Sequence, residues 1–104
     1  MVGRHIEIHD GKVFLRDLAG LAKEGVNGES LKDAVHDKRI EEPLEGVEIK
    51  GKLHVDSVTQ GTVVYRYLFL KNPGNVYLLA ITEGHFTEQE VAYFTDLARN
   101  FGKG

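Results

Sequence analysis

Residues 62–82, TVVYRYLFLKNPGNVYLLAIT, decide the fold of this 104-residue chain. The segment 62–70 is apolar apart from Arg66, which is typical of a central strand covered on both sides over much of its length. Residues 71–75 (Lys-Asn-Pro-Gly-Asn) favour a turn, because proline presets one backbone dihedral and glycine or asparagine accepts a positive φ. Residues 76–82 then return as a second strand, so the pattern predicts an antiparallel hairpin.

The segment before this hairpin alternates between apolar and polar side chains. Apolar residues occupy positions 47, 49, 53 and 55, and the even positions between them hold Glu48, Lys50, Lys52 and His54. Alternation with period two predicts one strand with a dry face and a wet face. On this interpretation Lys50, Lys52 and His54 lie on one face of one strand, and residues 56–61 turn the chain.

Helical patterns flank the predicted strands. After a short alternating strand at residues 4–9, Asp10 is placed to cap a helix that Gly25 and the Asn27-Gly28 pair end. A second helix is expected to start at Ser30 and to stop before Pro43. A third begins with the Thr87–Glu90 capping box and carries an apolar stripe at helical spacing.

These elements follow each other in the order β-α-α-β-β-β-α. We therefore expect an α+β fold, a small antiparallel twisted sheet with two N-terminal helices and a C-terminal helix packed on one face. No internal repeat, low-complexity segment or linker divides the sequence, which predicts a single domain over residues 1–104.

Composition excludes several classes of site. The chain contains no cysteine, so disulfides, thiolate metal sites and thiol nucleophiles are excluded. No apolar run approaches the ~20 residues of a membrane helix, and the first ten residues lack the layout of a signal peptide. We therefore expect a cytoplasmic protein that does not act on a membrane.

The net charge of −3 argues at first against a nucleic-acid partner. The acidic excess lies mainly in the first half, because residues 1–45 hold seven cations and ten anions, residues 46–85 hold four cations and three anions, and residues 86–104 hold two cations and three anions. The predicted strands therefore keep a small basic excess, and an RNA target is not excluded.

Four short motifs between residues 44 and 93 resemble those of the RelE/ParE superfamily of bacterial toxins, in particular its RelE-like (HigB-like) mRNA endonuclease branch. Each motif is weak alone, and the resemblance lies in their shared order and spacing. They are Leu44-Glu45-Gly46 followed by Lys50-Gly51-Lys52-Leu53-His54; Tyr65-Arg66; Tyr77-Leu78-Leu79-Ala80-Ile81 followed by Gly84-His85; and Glu90-Val91 followed by Tyr93.

The resemblance implies a RelE/ParE-like fold and the toxin component of a type II toxin–antitoxin system. The implied activity is that of an endoribonuclease that cleaves mRNA on the ribosome, in the 30S A site, by acid/base chemistry through the 2′-hydroxyl and without a metal or other cofactor. The implied partners are a cognate antitoxin protein and ribosome-bound mRNA.

Such cleavage needs a base for the 2′-hydroxyl, a cation for the phosphorane and an acid for the departing 5′-oxygen. An arginine can hold a phosphate through two parallel hydrogen bonds, and histidine is the side chain best suited to proton transfer near neutral pH. Carried over residue by residue, the resemblance assigns catalytic roles to Arg66, His54, His85 and Tyr93, and RNA phosphate binding to Lys50 and Lys52.

Plainer interpretations stand beside these assignments. Lys50, Lys52 and His54 are also what the solvated face of a strand would carry. Arg66 would be equally well satisfied by an ion pair with Glu48 or Glu83, and Tyr93 by packing on the edge of the sheet.

His5, Glu7 and His9 share one face of the first predicted strand and could ligate a metal. A solvent-facing strand is the simpler interpretation, because no further ligand follows at zinc-like spacing.

Two functions of other classes remain open. The first is a non-catalytic protein-binding module on the same fold, either a ParE-like gyrase inhibitor or a degenerate member, which the weak basic excess favours and the two histidines at 54 and 85 disfavour. The second, if the resemblance is accidental, is a small-ligand-binding α+β domain.

Overall fold

A computed structural model of the chain describes residues 6–100. It contains three helices and five strands, so the α+β class is confirmed and one strand more is present than predicted. In chain order the elements are β1 (Glu7–Asp10), α1 (Lys12–Lys23), α2 (Gly28–Glu41), β2 (Val47–Lys50), β3 (Leu53–Gln60), β4 (Val63–Asn72), β5 (Asn75–Glu83) and α3 (Glu88–Asn100).

The strands form one sheet in the order β1-β5-β4-β3-β2. The neighbours among β2, β3, β4 and β5 are antiparallel, whereas β1 pairs with β5 in parallel, from Glu7 opposite Asn75 to Asp10 opposite Leu78. The sheet is therefore mixed, because α1 and α2 carry the chain from the edge strand β1 across to the far edge at β2.

The predicted hairpin at residues 62–82 is confirmed. β4 and β5 meet at the Pro73-Gly74 turn, where Gly74 has a φ of 77°. The predicted turn at residues 56–61 is wrong, since β3 continues to Gln60 and the chain reverses at Gly61-Thr62, with φ 65° at Gly61. Asp56 stays in the strand because its carboxylate is engaged by α2, as described below.

The helices cover both faces of the sheet. One core lies under α1 and α2 and includes Phe14, Leu31, Tyr67, Phe69 and Leu78; the other lies under α3 and includes Leu53, Leu68, Leu70, Leu79 and Phe94. The expectation that all helices lie on one face is therefore wrong. The physical reason is that β4 presents buried apolar residues to both sides, with Tyr67 and Phe69 on one and Leu68 and Leu70 on the other. We call the two sides the α1/α2 face and the α3 face.

Local hydrogen bonds set the helix ends. The capping box of α3 is confirmed, because Glu90 N–H donates to Thr87 Oγ1 at 3.1 Å and Thr87 N–H donates to Glu90 Oε1 at 2.8 Å. α2 begins at Gly28, earlier than predicted, because Asn27 caps it by accepting from Ser30 N–H. Asp10 does not cap α1 as predicted; it accepts instead from His36 Nε2 of α2 at 2.7 Å.

The outer edge of β5 is closed by two different groups. Gly11 N–H donates to the carbonyl of Leu78 at 2.9 Å, directly after β1 ends. Further along, Ile81 N–H donates to the carboxylate of Asp17 in α1 at 3.1 Å. Burial raises the pKa of Asp17 above its usual range, an effect that the hydrogen bond from Ile81 partly offsets.

Among the described residues, no helix is long and apolar enough to cross a membrane.

Candidate nucleic-acid interface

Lys50 and Lys52 lie at the hairpin between β2 and β3, not within one strand. β2 ends at Lys50, Gly51 takes a φ of 60°, and β3 begins at Leu53. A register shift between Glu48 and Lys50 restores the alternation on the far side of the turn. The predicted continuous strand at 47–55 is therefore wrong. The sequence still alternates as a single strand would, because the bulge and the two-residue turn together preserve the period of two.

His54 lies on the opposite face of the sheet from Lys50. In the antiparallel register Lys50 is opposite Leu53, a residue of the core under α3, whereas His54 is opposite Phe69, a residue of the core under α1 and α2. The His54 ring stacks on Phe69 with centroids 5.4 Å apart, and its Nδ1 donates to the carbonyl of Lys52. The prediction that Lys50, Lys52 and His54 share one face is wrong.

Arg66 lies on the α3 face, in β4, between Ser57 of β3 and Thr82 of β5. It is half-buried, and its Nη1 donates to the carbonyl of Gly84 at 2.8 Å. Both carboxylates considered for it as ion-pair partners belong to the other face, since Glu48 is opposite His54 and Glu83 is opposite Tyr65. Within residues 6–100 Arg66 forms no ion pair, so its guanidinium keeps donors for an anion.

His85 follows the residue that Arg66 holds. β5 ends at Glu83, Gly84 turns with a φ of 80°, and the His85 side chain is exposed. The hydrogen bond from Arg66 to Gly84 therefore ties the loop that carries His85 to the central strand. Arg66 and the backbone that carries His85 therefore lie in one region.

Tyr93 lies on α3 and is 60% exposed. Its ring meets Phe94 edge-on, with centroids 5.0 Å apart. It lines a shallow cavity with Asp17 and Arg16 of α1, on the side of α3 away from the two lysines. The structure thus places Tyr93 on the same face of the sheet as Arg66 but not in contact with the lysines.

A third cation joins the two lysines. Lys50 and Lys52 line a cleft of about 240 Å³ whose other wall is the C-terminal part of α3, including Thr95 and Arg99. We call this the basic cleft, defined by Lys50, Lys52 and Arg99. Arg99 pairs only loosely with Asp96, at 3.7 Å between two exposed side chains, so the cleft keeps a positive charge.

Arg99 was not predicted from the sequence. Its position could have been inferred, because Thr95 and Arg99 are four residues apart and therefore share one helix face. That face adjoins the side occupied by Phe94, which is buried against the sheet.

The basic cleft and Arg66 lie along one face of the sheet. Lys50 is level with Leu53 and Arg66 with Ser57, four residues further along β3, which corresponds to roughly 13 Å at ~3.3 Å per residue. Neighbouring cations on one face suit a polyanion with repeated phosphates.

No family model, curated protein or solved structure matches this chain. The resemblance to the RelE/ParE superfamily therefore stays a prediction, and the function is inferred from the residues themselves.

A second polar cluster, also not predicted, is buried under α2. Arg39 is 1% exposed; its Nη2 donates to Asp56 Oδ2 at 2.7 Å, and its Nε donates to the Tyr67 hydroxyl at 2.9 Å. The guanidinium lies over the Phe69 ring at 4.3 Å, and Lys38 Nζ also donates to Asp56, at 3.1 Å. We call Lys38, Arg39, Asp56 and Tyr67 the Arg39 network.

Burial strongly raises the pKa of Tyr67, and the nearby Arg39 charge offsets only part of that rise. The hydroxyl therefore stays protonated, accepting from Arg39 and donating to Asp56 at 3.4 Å. The sequence signal for the network is the stripe Leu31, Val35, Arg39, which continues an inward helical face with a charged residue.

The histidine and carboxylate pattern at the N-terminal strand does not build a metal site among the described residues. His5 lies outside residues 6–100. His9 stacks on Tyr77 with centroids 4.6 Å apart, and its Nε2 donates to Asn75 Oδ1 at 2.9 Å. Within that range, no three histidine, aspartate or glutamate side chains are grouped closely enough to hold a metal ion.

Proposed function

We propose that this chain is a RelE-like endoribonuclease, the toxin component of a type II toxin–antitoxin system, acting in the cytoplasm on mRNA held in the 30S A site. The observation that carries the proposal is the position of Arg66. It lies in the middle of the α3 face without a carboxylate partner in residues 6–100, and it is tied through Gly84 to the loop of His85.

The chemistry follows from these two side chains. Arg66 keeps guanidinium protons that can bind the scissile phosphate and stabilise its charge as the 2′-hydroxyl attacks. His85, exposed and next in sequence to Gly84, accepts the proton of the attacking 2′-hydroxyl on a ring nitrogen and then donates it to the departing 5′-oxygen. His54 has no part in this scheme, since it faces the other side of the sheet.

Ribosome dependence follows from the charge. Lys50, Lys52 and Arg99 offer a neighbouring phosphate a site in the basic cleft, but the chain as a whole has a net charge of −3. Because affinity for free RNA depends on the number of phosphates that cations neutralise, so few contacts give weak binding. The ribosome would supply the missing affinity by presenting the message.

The test is induced expression in a bacterial host, with growth and the integrity of a reporter mRNA followed together. We expect growth arrest and cleavage of translated message, and expect Arg66→Ala and His85→Ala to abolish both while far-UV circular dichroism remains that of the unchanged protein. The matched control is His54→Gln, which alters a histidine on the opposite face and should keep both effects. Loss of cleavage with His54→Gln and retention with His85→Ala would overturn the site.

The same proposal requires a partner that neutralises the toxin. We expect a cognate antitoxin to cover the α3 face, because Arg66 and the basic cleft both lie there. Co-expression of the adjacent small reading frame should restore growth, and the complex should protect Lys50 and Lys52 from acetylation by a soluble reagent.

A second candidate function is a non-catalytic protein-binding module such as a ParE-like gyrase inhibitor. The observation that favours it is an exposed apolar pair on α3, where Tyr93 is 60% and Leu97 42% exposed at a spacing of four residues. On this hypothesis growth arrest would leave mRNA intact and would depend on Tyr93 and Leu97. A supercoiling assay with purified gyrase distinguishes the two functions directly.

A further inference from the structure

A cavity of about 520 Å³ lies on the α1/α2 face of the sheet, away from the α3 face. It opens between the C-terminal end of α2, the loop after it and the turn between β4 and β5. Its apolar walls include Ile6, Ile40, Leu44 and Val76, and its polar lining includes Arg39, Lys71 and Asn72. A volume of this size and a mainly apolar lining with few polar groups are typical of small-molecule sites.

Arg39 gives this cavity a cationic wall. The guanidinium is almost fully buried, yet its hydrogen bonds within residues 6–100 all leave from Nε and Nη2. The two protons of Nη1 are therefore left for another acceptor.

The local charge also favours an anion. Arg39 and Lys38 share the single carboxylate of Asp56. Lys71 adds a further cation to the lining, with its Nζ donating to the carbonyl of Pro43 at 2.7 Å. Lys38 lies outside the lining, so an incoming carboxylate would meet two cations, Arg39 and Lys71, and no carboxylate of the lining.

The rim of the cavity carries exposed apolar side chains. Leu44 is 88% exposed and Ile40 is 56% exposed, although both are large apolar side chains. An apolar group that enters the cavity would cover them and gain the free energy of burial.

We propose that this cavity binds a small carboxylate that carries a branched apolar group, the class to which branched-chain aliphatic acids belong. The carboxylate binds Arg39, and the apolar group lies against Leu44 and Ile40. The site is on the other face of the sheet from Arg66 and the basic cleft, so it stands or falls independently of the proposed nuclease.

The experiment is a titration of the full chain followed by two-dimensional amide NMR with three probes. 4-Methylpentanoate carries both features, 4-methylpentanamide lacks the carboxylate, and acetate lacks the branched apolar group. We expect 4-methylpentanoate to shift amides around Gly74 and Val76, and the amide probe to bind about tenfold or more weakly, as loss of a charge-assisted hydrogen bond requires.

One variant tests the rim without disturbing the Arg39 network. Ile40→Glu places an anion at the rim and should weaken 4-methylpentanoate, whereas Leu15→Glu, a similar change at a 44% exposed position on α1 outside the lining, should leave its binding unchanged.

The proposal is overturned if no probe shifts these amides, if 4-methylpentanoate and its amide bind equally, or if the shifts map to the α3 face.

Discussion

Asp56→Ala is expected to destabilise the protein strongly, because it leaves a charge buried without its partner. The Asp56 carboxylate accepts from Arg39 Nη2 at 2.7 Å and from Lys38 Nζ at 3.1 Å, and the Arg39 side chain is 1% exposed. Removing one member of a buried ion pair costs about 3–5 kcal/mol. A typical domain has only about 5–15 kcal/mol of stability in all.

The structure places the effect at the lower end of that range. After the change, the guanidinium still donates to the Tyr67 hydroxyl and to the carbonyls of Glu42 and Glu45. We therefore expect a loss of about 3 kcal/mol. For a domain of this size that corresponds to a fall in melting temperature of about 12–24 °C, measured by far-UV circular dichroism and checked by urea unfolding.

Asp96→Ala is the matched control, since it also removes an aspartate paired with an arginine. That pair is 3.7 Å apart with both side chains more than half exposed, so the change should cost no more than about 0.5 kcal/mol. The double variant Arg39→Met/Asp56→Leu removes both charges and should be markedly more stable than Asp56→Ala alone. If Asp56→Ala and Asp96→Ala cost the same, Asp56 does not hold the Arg39 charge and the reasoning is refuted.

Two further predictions concern the closed edge of β5. Burial raises the pKa of Asp17, so the folded protein holds this proton more tightly than the unfolded chain; the resulting stabilisation is complete below about pH 4 and is lost as pH rises through the raised value. Asp17→Asn keeps an acceptor for Ile81 and should therefore gain stability over the unchanged protein between about pH 4 and pH 7 in urea titrations; a gain that does not change with pH would contradict this. Gly11→Ala should cost about 1–3 kcal/mol because its Cβ would lie 2.6 Å from the backbone oxygen of Leu78. Gly20→Ala, which meets nothing within 4 Å in the middle of α1, should instead stabilise by about 0.5–1 kcal/mol, and equal melting temperatures for the two variants would contradict the clash.

Local signals predicted the elements that depend on neighbouring residues. The Thr87–Glu90 capping box and the Pro73-Gly74 turn both formed as expected, because each satisfies its own hydrogen bonds or dihedrals within a few residues. The unbroken apolar run of β4 likewise indicated burial on both sides. Two separate cores on opposite faces confirm it.

Long-range partners explain the predictions that were wrong. Asp10 was predicted to cap α1, but its carboxylate instead accepts a hydrogen bond from His36, which is 26 residues away in the sequence. Asp56 was predicted to begin a turn, but the packing of α2 places Arg39 beside its carboxylate and Asp56 stays in the strand. For the candidate site, the single face predicted for Lys50, Lys52 and His54 was wrong, since the bulge between Glu48 and Lys50 moves Lys50 to the α3 face while His54 stays on the face of Glu48.

The parallel pairing of β1 with β5 has a consequence for the order of folding. β2 to β5 form a meander joined by turns of two residues, so their contacts close short loops and carry a small entropic cost. β1 meets β5 only by closing a loop of more than sixty residues, from Glu7 to Asn75. We therefore expect the meander to form the folding nucleus and the N-terminal strand to join last, which makes β1 the part of the sheet that opens most readily in the native state. A chain still being synthesised cannot complete this sheet until β5 has emerged.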